Sequence, residues 1–213
     1  MNGRTIGVDE AGRGPILGPM ALAVVAVDEA GAAALLRLGV QDSKRFGADA
    51  RGQARRAALA AEIPAHALAC RSALVDVEVI DAHTRQGRLN HLERATAEAL
   101  LVEIAACPED QIICDGAALF GPLAARYPGL LAVNQGESAH VAVAAASILA
   151  KHARDEAFAA IASRYEPEFG RLGGGGYINA ATRRFLAAYQ ARYGDLPPEA
   201  RRSWGAPAAL ELF

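Results

Sequence analysis

Aromatic residues are scarce, at 6% of 213 positions, so Ala, Val, Leu and Ile must supply most of the core. Cysteine is scarcer still. The three residues, Cys70, Cys107 and Cys114, are odd in number and contain no CxxC pair, which argues against a disulfide framework or a zinc site and for reduced, mostly buried thiols. An excess of positive charge is also missing: 22 basic against 24 acidic residues give a net charge of −2. Overall charge therefore provides no footprint for nucleic acid, and any such binding must use local basic patches. No stretch approaches the ~18 apolar residues of a membrane span; the longest candidate, residues 141–150, is flanked by Glu137 and Lys151. Strand-like sequence begins within a few residues of Met1, leaving no room for a signal peptide. A cytoplasmic protein without a membrane partner is expected.

Apolar residues make up 52% and charged residues 22% of the chain, enough for one domain or one domain with a small appendage. There are no internal repeats. Strands are expected at residues 4–8, 21–27, 66–75, 111–114 and 130–133. Helices are expected at 32–38, 51–63, 90–106, 138–164 and 180–193, the last stopped by Gly194. Alternation of the two element types predicts an α/β fold with a largely covered sheet.

Within this pattern the acids are placed unusually. Three strand-like segments end at carboxylates: Val8 precedes Asp9 and Glu10, Cys114 precedes Asp115, and Val133 is followed closely by Glu137. Adjacent carboxylates at a strand end repel each other and lose hydration, and either a basic side chain or a metal ion must offset that cost. Sites in open α/β sheets gather at strand ends. Four converging carboxylates suit hard divalent cations such as Mg²⁺ or Mn²⁺, and two such ions about 4 Å apart can drive phosphodiester hydrolysis. Successive strand residues face opposite sides, so Asp9 and Glu10 require a backbone bend to share an ion, and Gly12 and Gly14 are suited to one. Read singly, Asp115 serves equally well as a solvated loop residue or a helix cap.

The stretch GVDEAGRGPILGPM at residues 7–20 resembles the opening motif of the ribonuclease HII family. DSKRF (42–46), ICDG (113–116), AAASILAKHARDEAF (144–158), GGGGYINAATRRFL (173–186) and RRSW (201–204) resemble further family motifs in the family's order, the last two in archaeal and eukaryotic style. The resemblance implies a ribonuclease H-like fold with a mixed central sheet flanked by helices. It divides the chain into a catalytic domain at 1–165 and a small helical substrate-binding segment at 166–213. It implies an endonuclease that cuts the RNA strand of RNA–DNA hybrids and nicks duplex DNA 5′ of an embedded ribonucleotide. Two Mg²⁺ or Mn²⁺ ions would act, and 3′-hydroxyl and 5′-phosphate ends would result.

The family's metal ligands carry over to Asp9, Glu10 and Asp115. Counting back from Ser147 places the fourth at Glu137, where the family has Asp. The sequence departs from the family pattern in three further places: Ala139 and His140 replace a Lys after the fourth acid, Ile178 replaces the Pro after Tyr177, and Ala180 replaces an Asp.

The resemblance also assigns substrate contacts. Gly12, Arg13 and Gly14 would meet the ribose and its phosphate, where glycines allow close backbone approach. Tyr177 would pack on the ribonucleotide, as ring–base contacts tolerate any sequence. Ser43 and Lys44 would lie by a phosphate, although Asp42 or Ser43 serves equally as a helix cap. Ser147, Lys151 and Asp155 share a helix face by their spacing, and the resemblance places that face behind the active site. Arg183 and Arg184 head the basic clusters available for phosphates, with Arg51, Arg55 and Arg56 and with Arg201 and Arg202. His140 reads as a helix cap or surface residue, or as an aid to proton transfer.

The tail at Leu212-Phe213 lacks a sliding-clamp motif, and no obligate protein partner is expected. Two other readings remain: a nuclease of the same fold with different nucleic-acid specificity, and a hybrid-binding protein impaired in catalysis by Glu137.

Overall fold

The computed structural model describes residues 3–41, 43–47, 49–134, 136 and 140–205, the Lys44 side chain excepted. Among these, five strands form one sheet in the order β3-β2-β1-β4-β5: β1 (Thr5–Ala11), β2 (Met20–Val27), β3 (Ala69–Val75), β4 (Gln111–Asp115) and β5 (Leu130–Val133). β1 runs antiparallel to β2 and parallel to β4, and β4 is parallel to β5. The sheet is therefore mixed. The helices are α1 (Glu29–Arg37), α2 (Ala50–His66), α3 (Val77–Arg85), α4 (Leu89–Glu103), α5 (Ala117–Phe120), α6 (Val141–Phe169) and α7 (Ala180–Tyr193). None is long and apolar enough to cross a membrane.

Local chemistry explains most element boundaries. Asp28 and Asp49 cap α1 and α2 by accepting from the Gly31 and Gly52 amides at 2.7 and 2.8 Å, each satisfying one of the amides a helix start leaves unbonded. α2 and α6 run past the ends expected from sequence because Pro64 and Pro167 sit in their final turns, where a missing N–H removes one bond and leaves the preceding turns whole. α3 has no counterpart among the expected helices. Its Val77, Val79 and Ile80 favour strands on their own, but Val77 and Ile80 are buried and packing overrides propensity.

The contacts divide the chain into two compact units whose limits differ from the 165/166 boundary read from sequence. One comprises Met1–Ala11, Ala21–Ala73 and Asn90–Ala153; the other comprises Gly12–Met20, Leu74–Leu89 and Arg154–Phe213.

In the first unit every residue of β2 is buried. Ala21, Ala23, Val25 and Val27 pack with Leu35 of α1, with Leu59 and Ile63 of α2, and with a run of alanines in α6. Those alanines permit very close packing. A Cβ added at Gly7 of β1 would lie 2.1 Å from the Ala142 carbonyl carbon and 2.2 Å from the Val143 amide nitrogen, so strand and helix backbones touch there. In the second unit the few aromatics are concentrated. Tyr165, Phe169, Phe185, Tyr189 and Tyr193 form a chain of ring contacts with centroids 4.7–6.3 Å apart, beside buried Ile16, Leu17 and Leu172. Aliphatic residues thus fill the first core, while rings contribute heavily to the second.

Replacing Gly7 by Ala should be severe, because backbone atoms on α6 have no rotamer by which to yield. A loss of about 3 kcal/mol or more is expected, read as a fall in the denaturant midpoint; a fall of less than about 1 kcal/mol would contradict the close approach.

Candidate active site

The parallel ladder between β1 and β4 pairs Val8 with Cys114. The next residues on the two strands are Asp9 and Asp115, which places two of the expected metal ligands at neighbouring strand ends. Arg4 holds the other end of this pairing. Its Nε and Nη2 donate to the two carboxylate oxygens of Asp110 at 2.9 and 2.6 Å, a bidentate geometry that fixes both angle and position.

Asp9 is only 5% exposed. Burial, and then the negative charge of Glu10, push its carboxyl well above the usual carboxylate range; Asp115 acts in the same direction. Hydrogen bonds from the Ser147 hydroxyl and the Glu10 amide oppose the shift, the amide donating at 2.8 Å. The charges acting on Asp9 are therefore negative, and its stabilising partners are neutral. Cys114 feels the same field: burial and the Asp9 charge push its thiol up to about 12, so it stays protonated and inert.

Asp115 is half-buried and accepts from the Gly136 amide at 3.0 Å. Glu10 is also half-buried. The bend expected between Asp9 and Glu10 is absent. The ladder to β2 is unbroken through Asp9–Ala23, Glu10–Leu22 and Ala11–Ala21, and the left-handed turn comes only at Gly12, with φ 81°. Strand alternation therefore puts Asp9 and Glu10 on opposite faces, with Glu10 still within electrostatic reach of Asp9.

Glu137 lies outside the described residues, as do Asp42 and Ala139. Among the described residues no three His, Cys, Asp or Glu side chains are grouped closely enough to hold a metal ion. The donors that do converge on the strand ends are all carboxylate oxygens, the chemistry a hard divalent cation takes. A buried carboxylate surrounded by like charge fits such an ion.

Ser147 connects this site to the 3₁₀ turn Ser43–Phe46. Its hydroxyl is 2.8 Å from that of Ser43, and both side chains are buried. Ser43, Ser147 and Asp9 thus form a chain of hydrogen bonds. Lys151 and Asp155 are half-buried on α6. His140 takes the capping role, its Nδ1 accepting from the Ala142 amide at 3.1 Å, and burial lowers its pKa.

Gly12, Arg13, Gly14 and Tyr177 all fall in the second unit. A Cβ added at Gly14 would lie 3.1 Å from Cε1 of Tyr177, so the ring rests on the Gly14 backbone. Tyr177 is 55% exposed and Ile178 42%, leaving much of this loop available to a ligand. Arg184 is exposed and Arg183 half-buried, both on α7, whose start is capped by Asn179 accepting from Thr182 at 2.9 Å.

Two members of the basic clusters are not surface residues. Arg56 is 3% exposed and Arg201 fully buried. Arg201 donates to the carbonyls of Gly12, Arg13 and Gly18 at 2.6, 2.8 and 2.9 Å. Arg154, which sequence periodicity does not single out, is 2% exposed and donates to Leu17 and Gly175 carbonyls at 2.8 and 2.7 Å.

A family model described as Ribonuclease HII matches residues 6–206. The chain belongs to the ribonuclease HII family. It is 32% identical over 206 residues to the ribonuclease HII of Thermococcus sibiricus, covering 93% of this chain and 87% of that one. Its fold matches the ribonuclease H2 of Pyrococcus horikoshii with a TM-score of 0.78 at 29% identity, over 98% and 97% of the two chains. It also matches the ribonuclease HII of Archaeoglobus fulgidus, solved in complex with PCNA, at 0.79 and 26%, again over 98% and 97%. The mixed sheet flanked by helices is the family's ribonuclease H-like fold. Membership makes the chain a metal-dependent endoribonuclease, a hydrolase acting on the RNA strand of RNA–DNA hybrids with divalent ions as cofactors.

The Asp9 environment sets a sign for pH. A carboxyl whose folded pKa is raised adds stability below its unfolded value of ~3.9 and loses it as pH rises through the folded value. Metal-free protein at pH 7 therefore carries a penalty that it does not carry near pH 4. Asp9→Asn should melt higher than the parent at pH 7 in chelator, and the difference should disappear near pH 4. A gain of ~1 kcal/mol would read as about 2–4 °C at this chain length. A variant that melts lower at pH 7 would contradict the charge argument.

Proposed function

We propose that this chain cuts the RNA strand of hybrids and nicks duplex DNA on the 5′ side of an embedded ribonucleotide, leaving 3′-hydroxyl and 5′-phosphate ends. Two Mg²⁺ or Mn²⁺ ions would be held by Asp9, Glu10, Asp115 and Glu137, with the side chains of Asp9 and Glu10, which leave β1 on opposite faces, not serving side by side on one ion. The observation that supports this most is the placement of Asp9 and Asp115 as the next residues of two adjacent parallel strands, with Asp9 buried among like charges.

Divalent ions bound there would supply an activated water and charge stabilisation on the leaving oxygen. The protein's own groups do the rest. Asp9 is held ready to ligate: the Ser147 hydroxyl and the Glu10 amide keep one carboxylate geometry, so little reorganisation is needed on binding. Asp115 is oriented by the Gly136 amide. Lys44 would hold a phosphate as a point charge. Gly12, Arg13 and Gly14 would meet the ribose 2′-hydroxyl, the group that separates RNA from DNA, and the exposed Tyr177 ring would pack on the same nucleotide.

The second unit would serve as the substrate-binding part, with Arg184 and Arg183 directed to phosphates. A relative has been solved with PCNA. In this chain the tail at Leu212-Phe213, from which we expect no such partner, lies outside the described residues. A cytoplasmic location suits a hybrid-processing enzyme.

The test is cleavage of a DNA duplex carrying one ribonucleotide, in Mg²⁺ and in Mn²⁺, beside an all-DNA duplex. A single nick 5′ of the ribonucleotide is expected, reduced roughly 10³-fold or more (~4 kcal/mol) in Asp9→Asn. Cleavage of the all-DNA control, or full activity in Asp9→Asn, would overturn the reading.

A further inference from the structure

Arg201 and Arg154 lie in one compact unit with the turn from Gly12 to Gly18 and the loop bearing Tyr177. Both guanidinium groups are buried, at 0% and 2% exposure, and burying a charge is expensive. Their bonds go to backbone carbonyls. Arg201 brackets the turn, donating to Gly12 and Arg13 at its start and to Gly18 at its end, while its guanidinium carbon sits 5.1 Å from the centre of the Trp204 ring. Arg154 joins that turn to the tyrosine loop: one nitrogen, Nη2, donates to both Leu17 and Gly175.

The same joint carries a second link, because the Ile16 and Leu17 amides both donate to the Gly176 carbonyl at 2.9 and 3.2 Å. Arg154 accepts a further cost. Its Nε and Nη1 are buried without a hydrogen-bond partner among the described residues, and its guanidinium carbon lies 5.1 Å from the centre of the Phe158 ring. A buried donor left unpaired costs about 1–3 kcal/mol. An apolar side chain would fill the space without that penalty but could not hold carbonyls. The arrangement makes sense if the carbonyls must be held.

We propose that Arg201 and Arg154 are positioning residues for sugar discrimination. Together they fix the Gly12–Gly18 turn against the Gly175–Tyr177 loop, so that backbone and ring meet a ribose and not a deoxyribose. This rests on the reading, given above, that the turn contacts the 2′-hydroxyl. Neither guanidinium touches substrate. Each acts through the carbonyls it holds, and Lys cannot replace it, because a single ammonium cannot reproduce a planar fork spanning several acceptors.

The test measures affinity, so that metal chemistry does not enter. Dissociation constants are determined in Ca²⁺ for a DNA duplex with one ribonucleotide and for its all-DNA counterpart, using the parent chain, Arg201→Lys and Arg154→Lys. Thermal melts confirm that each variant is folded at the assay temperature. The parent should prefer the ribonucleotide duplex. In both variants that preference should fall by roughly tenfold, the scale of one lost charge-assisted hydrogen bond, while all-DNA affinity stays within about twofold.

A preference retained by either folded variant would overturn the role given to that guanidinium. Equal loss of affinity for both duplexes would also overturn it, since that is the mark of a purely structural arginine. A parent chain without any preference would instead sink the underlying assignment of the turn to the ribose. If Arg201→Lys does not fold, Arg154→Lys decides the proposal by itself, because Arg154 is the guanidinium that joins the turn to the tyrosine loop.

Discussion

The parallel pairing of β1 with β4 is the constraint on which the site depends. With Val8 opposite Cys114, the two strands release Asp9 and Asp115 side by side. A slip of one residue in either strand would send that strand's carboxylate to the other face of the sheet. The register is held at its start by the Arg4–Asp110 pair and along its length by packing on α6, which approaches so closely that position 7 accommodates only glycine. Close approach in turn requires the alanine run in α6. The scarcity of large residues in this half of the chain is thus tied to the placement of the acids.

That placement works against stability. A buried carboxylate beside other carboxylates favours the protonated form, which holds a metal poorly. At Asp9 the surrounding structure moderates the cost with neutral donors, the Ser147 hydroxyl and the Glu10 amide, without cancelling the charge. A salt bridge to Asp9 would stabilise the fold more and would also occupy the ligand. The fold keeps Asp9 oriented by neutral donors. In the second unit the same economy is reversed, with buried cations spent on carbonyls so that a turn keeps its shape.

Much of this was legible in the sequence. Strands ending in acids, the order of the motifs and the alternation of element types lead to the fold, and they are the ground on which Asp9, Glu10 and Asp115 are proposed as ligands. Other features were not legible, for physical reasons. The bend expected between Asp9 and Glu10 does not occur, since a regular ladder to β2 continues through Ala11 and nothing in the sequence reveals that pairing. α3 was hidden by its β-branched residues. Arg154 and Arg201 look like ordinary surface charges, because burial of an arginine depends on carbonyls distant in sequence; the only available hint was their position inside the ARDEAF and RRSW motifs. Ser43 reads as a cap or phosphate contact, and its bond to Ser147 follows from tertiary structure alone.

The central claim is that the strand-end carboxylates form a site for divalent cations. Titration calorimetry of Mn²⁺ into the parent chain and into Asp115→Asn, without nucleic acid, tests it most directly. Saturable binding by the parent, weakened at least about tenfold (~1.4 kcal/mol) in the variant, is the result this account requires. Equal binding by both, or no binding by the parent at millimolar metal, would contradict it.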